Sequence, residues 1–203
     1  MTGAGMHRID TLDWHSIREA LDQEGFVVLP GFLTPPDWKR EHHPALLNRL
    51  RHGFYAPLAQ IANHWNLIAE RPYAFPLQLC DGRREEPSQL LCLGEGEYLE
   101  LGQDIADERG FPFQLVALLS APGQDFTGGE LVLVEQRPRM QSRPMVVPLR
   151  LGDIAITTTA QRPFKGSKGY YRVTMKRAIS RVRSGERLGF FLNFHCAAER
   201  VHG

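Results

Sequence analysis

Phe111-Pro-Phe-Gln-Leu-Val-Ala-Leu-Leu-Ser-Ala-Pro-Gly-Gln-Asp-Phe-Thr-Gly-Gly-Glu-Leu-Val-Leu-Val-Glu135 sets the architecture of this chain. Phe111–Ser120 and Gly129–Glu135 read as short β segments, and Ala121-Pro-Gly-Gln-Asp125 with Gly128-Gly129 supplies turn chemistry between them. The same texture extends in both directions. Leu90–Leu93, Tyr98–Leu101, Met145–Leu149, Asp153–Thr158, Tyr171–Met175 and Phe190–Phe194 are also β-type, with a further turn at Lys165-Gly-Ser-Lys-Gly169. Eight short strands at close spacing, with no helices between them, predict an antiparallel sandwich or jelly roll.

Upstream the pattern is helical. Leu12, Trp14, Ile17 and Leu21 recur near helical spacing, which predicts a helix over Leu12–Gln23, capped by Thr11 and ended by Gly25. Phe26–Leu33 reads as a strand shortened by Pro30, and Thr34-Pro35 as the start of a helix that Pro44 interrupts. Leu58, Ile61, Trp65 and Ile68 form an apolar stripe whose expected role is core packing. The chain is therefore expected to be mainly β and one domain over 1–203, with a helical support over 1–88 and a jelly-roll core over 89–203.

Composition fits a globular protein: 203 residues, 42% hydrophobic, 23% charged and a net charge of +1. No apolar run is long enough to span a membrane. Met1–Arg8 lacks the basic-then-apolar pattern of a secretory signal, and Cys80, Cys92 and Cys196 have no metal-type spacing. Reduced thiols in a cytoplasmic protein are the expectation. Charge is uneven, because Arg137–Arg187 carries thirteen Lys/Arg against only Asp153 and Glu186. Such a basic half fits an anionic ligand, but strand faces in water or paired with the acidic 81–108 segment account for it more simply. Nucleic acid is not expected as a partner.

Several strings occur together in order: Gly94-Glu-Gly-Glu-Tyr98, Phe111-Pro-Phe-Gln-Leu115, Asp125-Phe-Thr-Gly-Gly-Glu130, Glu135-Gln-Arg-Pro-Arg-Met-Gln-Ser-Arg143, Arg162-Pro163, Gly169-Tyr-Tyr-Arg172 and Ser180-Arg-Val-Arg-Ser-Gly185. Over roughly Gln89–Ala197 the chain resembles a bacterial prolyl-hydroxylase-like family of 2-oxoglutarate/Fe(II) oxygenases. The resemblance implies a double-stranded β-helix, and an iron held by two histidines and one carboxylate. Yet there is no histidine between His64 and His195. Where the family has His-x-Asp this chain reads Gly102-Gln103-Asp104, and its second histidine corresponds to Arg177. The arginine that takes the far carboxylate of 2-oxoglutarate corresponds to Arg187, which is retained.

Glycine offers no donor and arginine is a permanent cation, so no metal site is expected. Asp104 and Arg177 are the candidate catalytic pair, with the guanidinium reaching across to the carboxylate. Taken singly, each residue is as well explained on the surface. Arg187, if it faces inward, needs an anion: a ligand, or an internal acid such as Glu130. Tyr98, Gln114, Thr127, Arg172 and Asn193 line a substrate pocket if their alternation points inward. Cys92 reads as a buried, inert thiol.

The expected function is a metal-independent, non-redox enzyme, of isomerase, cyclase or lyase type, acting on a small anionic substrate without a cofactor. One alternative is a non-catalytic protein that binds a metabolite or supports a partner. The other is a working dioxygenase with unusual ligands, needing Fe(II) and 2-oxoglutarate.

Overall fold

The computed structural model describes residues 8–34, 43–79, 89–103, 109–167, 169–194 and 196–200. Helix α1 spans Trp14–Glu24. Its cap is Asp13, not Thr11: the Asp13 carboxylate accepts from the backbone N–H of His15 and Ser16, while the Thr11 hydroxyl donates to the Arg8 carbonyl. A charged acceptor at the positive end of a helix outcompetes a hydroxyl two residues earlier. Gly25 ends the helix in the left-handed conformation, φ 77°. Strand β1 (Phe26–Leu29) stops at Pro30.

Helix α2 runs His43–Ile68. Pro44 therefore opens this helix rather than interrupting one, because the first turn has no use for its missing N–H. The predicted start at Thr34-Pro35 runs into 35–42, outside the described residues. Leu58, Ile61 and Trp65 are buried, as their spacing predicts.

The strands that follow are β2 (Tyr73–Ala74), β3 (Gln89–Leu93), β4 (Leu99–Gly102), β5 (Phe113–Leu118), β6 (Phe126–Gly128), β7 (Leu131–Gln136) and β8 (Arg143–Val147). After them come β9 (Ile154–Thr158), β10 (Gln161–Gly166), β11 (Gly169–Ile179), β12 (Val182–Gly185), β13 (Arg187–Asn193) and β14 (Glu199–Arg200). All eight predicted strands are present, with ends moved by a few residues. Strand β10 escapes a sequence reading because Pro163 breaks its pattern; it is tolerated because β10 is an edge strand.

Two antiparallel sheets face each other. One has the order β1-β9-β5-β13-β3; the other is β10-β11-β7-β8, with β4 also paired to β11. The chain crosses repeatedly from one sheet to the other, with β7–β8 and β10–β11 as pairs within the second, and the two sheets form the predicted jelly roll. The first sheet has two apolar faces. Phe113, Leu115, Ile156, Phe190 and Leu192 pack against α1 and α2, while Val116, Leu118, Ala155 and Phe191 face the barrel interior. That interior face carries the site.

Candidate functional site

Alternation along β13 places Arg187, Gly189, Phe191 and Asn193 on the interior face. Arg187 is 2% exposed. Its Nε donates to the Gly129 carbonyl at 2.8 Å, and no carboxylate pairs with it among the described residues. Two glycines make room for the side chain. A Cβ on Gly129 (φ 66°) would stand 3.0 Å from Arg187 Cδ, and one on Gly189 would stand 3.2 Å from Nη1. Burial alone pushes this arginine down to about 10. Arg187 lines a cavity of about 320 Å³ together with Leu118, Phe126, Thr127 and Leu131.

Glu130, the acid expected beside Arg187, does not reach it. It is exposed and accepts from the Ser180 hydroxyl, a bond that lowers its pKa. It borders the same cavity as Arg187, but its carboxylate is engaged by Ser180 and forms no ion pair with the arginine.

The two positions assigned to missing metal ligands meet in space. Strand β11 pairs with β4 in a register that sets Arg177 opposite Gly102. Val173, Met175 and Ile179 are buried in the interior cluster, and Arg177 shares their face. Its guanidinium carbon lies 3.9 Å from the centroid of the Phe191 ring, a close cation–π stack. Gln103 follows Gly102 and donates to the Ala160 carbonyl at 3.2 Å. Asp104 and its predicted contact with Arg177 lie outside the described residues, as does His195. His64 sits on α2.

These residues do not fit an iron. Gly102 has no side chain, Arg177 cannot ligate, and no cluster of three His, Cys, Asp or Glu exists among the described residues. Arg187 does fit one end of a carboxylate such as 2-oxoglutarate.

Of the remaining lining candidates, Gln114 and Asn193 point inward. Thr157, Gln114 and Asn193 are direct cross-strand partners on β9, β5 and β13. Both amide atoms of Gln114, the Thr157 hydroxyl and the Asn193 side-chain oxygen are buried without a hydrogen bond among the described residues. Sequence reading missed Thr157, which sits in a run of three threonines. Thr127 reaches the Arg187 cavity and bonds the Ser184 hydroxyl at 2.7 Å. Tyr98 and Arg172 are exposed instead of lining the barrel. Tyr98 stacks with Arg181, and Arg172 lies on the opposite face of β11 from Val173. Cys92 is exposed on edge strand β3, not buried; desolvation and then the nearby Glu186 raise its pKa, which makes it a poor nucleophile.

A second buried charge group has a structural task. Glu135, 0% exposed, accepts from Arg162 and from Arg137, the latter at 2.5 Å. Arg162 also donates to the carbonyls of Asp22 and Gln23, the last turn of α1. This clasp ties the N-terminal helix to the second sheet and satisfies two helix-end carbonyls.

The family model for Oxygenase-NA, described as "Oxygenase, catalysing oxidative methylation of damaged DNA", matches residues 37–197. Two uncharacterised proteins, from two strains of Mycobacterium tuberculosis, are 37% identical over 161 residues, covering 75% of this chain and 69% of each relative. A prolyl-4-hydroxylase of Pseudomonas putida superposes with a TM-score of 0.53 at 14% identity, covering 91% of this chain and 95% of its own. An oxidoreductase of the 2OG-Fe(II) oxygenase family from Burkholderia pseudomallei gives 0.53 at 16% identity, covering 94% and 96%. At such identities the two structures establish the fold alone, and they agree with the jelly roll built above.

Proposed function

This chain belongs to the Oxygenase-NA family, and from that premise we propose that it is a degenerate member whose barrel binds a small anion without a metal. The observation that carries the reading is Arg187, a cation buried inside the barrel that forms no ion pair among the described residues, Glu130 of the same cavity being bonded to Ser180. A buried charge of this kind is costly until an anion meets it. The family's described reaction is not carried over, because oxidation at an iron centre needs ligands that Gly102 and Arg177 do not supply.

The chemistry we assign is non-redox, of isomerase, cyclase or lyase type. Arg187 holds the substrate's carboxylate, and Arg177 stabilises negative charge that develops on it. Asp104 accepts a proton from the carbon or hydroxyl beside that charge, and returns it elsewhere or as a leaving group departs. Electrons stay within the substrate, so no oxidant is required. A small molecule is the partner and the cytoplasm the proposed location. Binding without turnover is the second reading, and the stacking of Arg177 on Phe191 favours it, since a stacked guanidinium is less able to move with a reacting group. Asp104→Asn separates the two: it abolishes turnover in an enzyme and leaves a pure binder's affinity intact.

The test is calorimetry with 2-oxoglutarate and other small dicarboxylates, in EDTA, on the intact chain and on Arg187→Met. Saturable binding that survives EDTA and disappears in Arg187→Met is the expected result. Binding that requires Fe(II), or that ignores Arg187→Met, overturns the reading in favour of an active oxygenase or another site.

A further inference from the structure

A second cavity formed by described residues lies outside the barrel. It has a volume of about 450 Å³, between the C-terminal end of α2 and the β10–β11 hairpin. That size is typical of a small-molecule site. From this cleft we infer a second ligand site, independent of Arg187, for a small aromatic anion.

Its lining divides into a part suited to a ring and a part suited to a negative charge. Tyr170 and Pro163 give the lining an aromatic and apolar part, with the buried Trp65 behind them. Tyr170 is 51% exposed, so its ring is available to stack on a bound ring at little conformational cost. Arg71 and Arg172 line the same cleft and supply positive charge, with Glu70 as the acid among the lining residues. Arg71 is oriented by the bond from its Nη2 to Gln161 Oε1 at 3.0 Å. Arg172 is set by the hairpin, directly opposite Pro163. Cations next to exposed aromatic and proline surface suit a planar ring bearing a phosphate or carboxylate, and not a purely aliphatic acid.

The hairpin accounts for the site's position. Strand β11 is long enough to pair first with β10 and then with β4. Its interior face at Arg177 therefore belongs to the barrel, whereas its outer face at Tyr170 and Arg172 belongs to the cleft. The two sites share a strand without sharing a side chain. This is also the physical reason that Arg172 fails to line the barrel.

The test uses phenyl phosphate as probe, titrated into the full-length protein by calorimetry, with phenol and inorganic phosphate as half-probes. One saturable site is expected, with phenol and inorganic phosphate each about tenfold weaker or worse, since each lacks one of the two contacts. Tyr170 and Arg172 are exposed, so Tyr170→Ala and Arg172→Ala retain the fold, as thermal melts will verify. Each is expected to weaken phenyl phosphate by about fivefold to tenfold. Arg187→Met is expected to leave it unchanged. The inference is overturned if phenyl phosphate shows no saturable binding, or if both outer variants bind it as the parent does. Binding lost only in Arg187→Met overturns it too, and assigns the probe to the barrel instead; failure of the dicarboxylate test alone leaves the cleft standing.

Discussion

Arg187 is the residue on which the barrel's chemistry turns, and its cost is measurable. A fall to about 10 corresponds to roughly 3 kcal/mol against keeping the side chain charged in the fold. Arg187→Met keeps most of the packing volume and removes that charge. The variant is therefore expected to be about 1–3 kcal/mol more stable than the parent without ligand, while losing anion binding. Denaturant titration measures this, and a variant of equal or lower stability counts against a costly, unpaired cation. The sign with pH follows. For a base whose pKa is depressed by folding, the penalty is fully present below the folded value and fades as pH rises from about 10 towards the unfolded one. The stability gap between variant and parent is thus constant from neutral pH to about 9 and closes above 10. The family resemblance alone marked Arg187 as special. Its lack of an ion pair was not legible, because Glu130 borders the same cavity yet its carboxylate is taken by the Ser180 hydroxyl.

At the scale of elements, register joins Gly102 and Arg177, the two positions that the family resemblance equates with metal ligands. Gly102 and Arg177 lie 75 apart in the chain and directly opposite across β4 and β11. Among the described residues, a Cβ on Gly102 would meet nothing closer than the Glu100 carbonyl at 4.0 Å, so the strand has room for a side chain. The double variant Gly102→His/Arg177→His is accordingly expected to gain Fe(II) binding, with Asp104 completing the set. Visible absorption on anaerobic addition of Fe(II) and 2-oxoglutarate reads it out; no gain from a folded variant would show that these are not the metal positions. The Glu135–Arg162 clasp gives a second element-level expectation. Glu135→Ala leaves two arginines, one fully buried, without their carboxylate, and should cost about 3–5 kcal/mol. Arg143→Ala breaks only an exposed pair with Glu24 and should cost under about 1 kcal/mol. The strands themselves were readable because β segments and turn residues alternate so regularly. Strand β10 was not, and neither was the inward direction of Thr157, since a run of Thr157, Thr158 and Thr159 gives period-two reasoning nothing to distinguish.

Considered whole, the molecule has the barrel of the oxygenase family, a buried arginine within it and a clasp that docks helix α1. On the proposed reading, what differs lies in the strand pair β4 and β11, where the resemblance puts the family's iron. That localisation makes the account simple to contradict. Anaerobic titration of Fe(II) into the apo protein, with and without 2-oxoglutarate and read by calorimetry, is the most direct measurement. The account predicts no stoichiometric metal binding in either condition, with 2-oxoglutarate or a related dicarboxylate still bound through Arg187. Tight, one-to-one Fe(II) binding strengthened by 2-oxoglutarate would contradict it, and would make this chain an active oxygenase with a ligand set other than Gly102, Asp104 and Arg177.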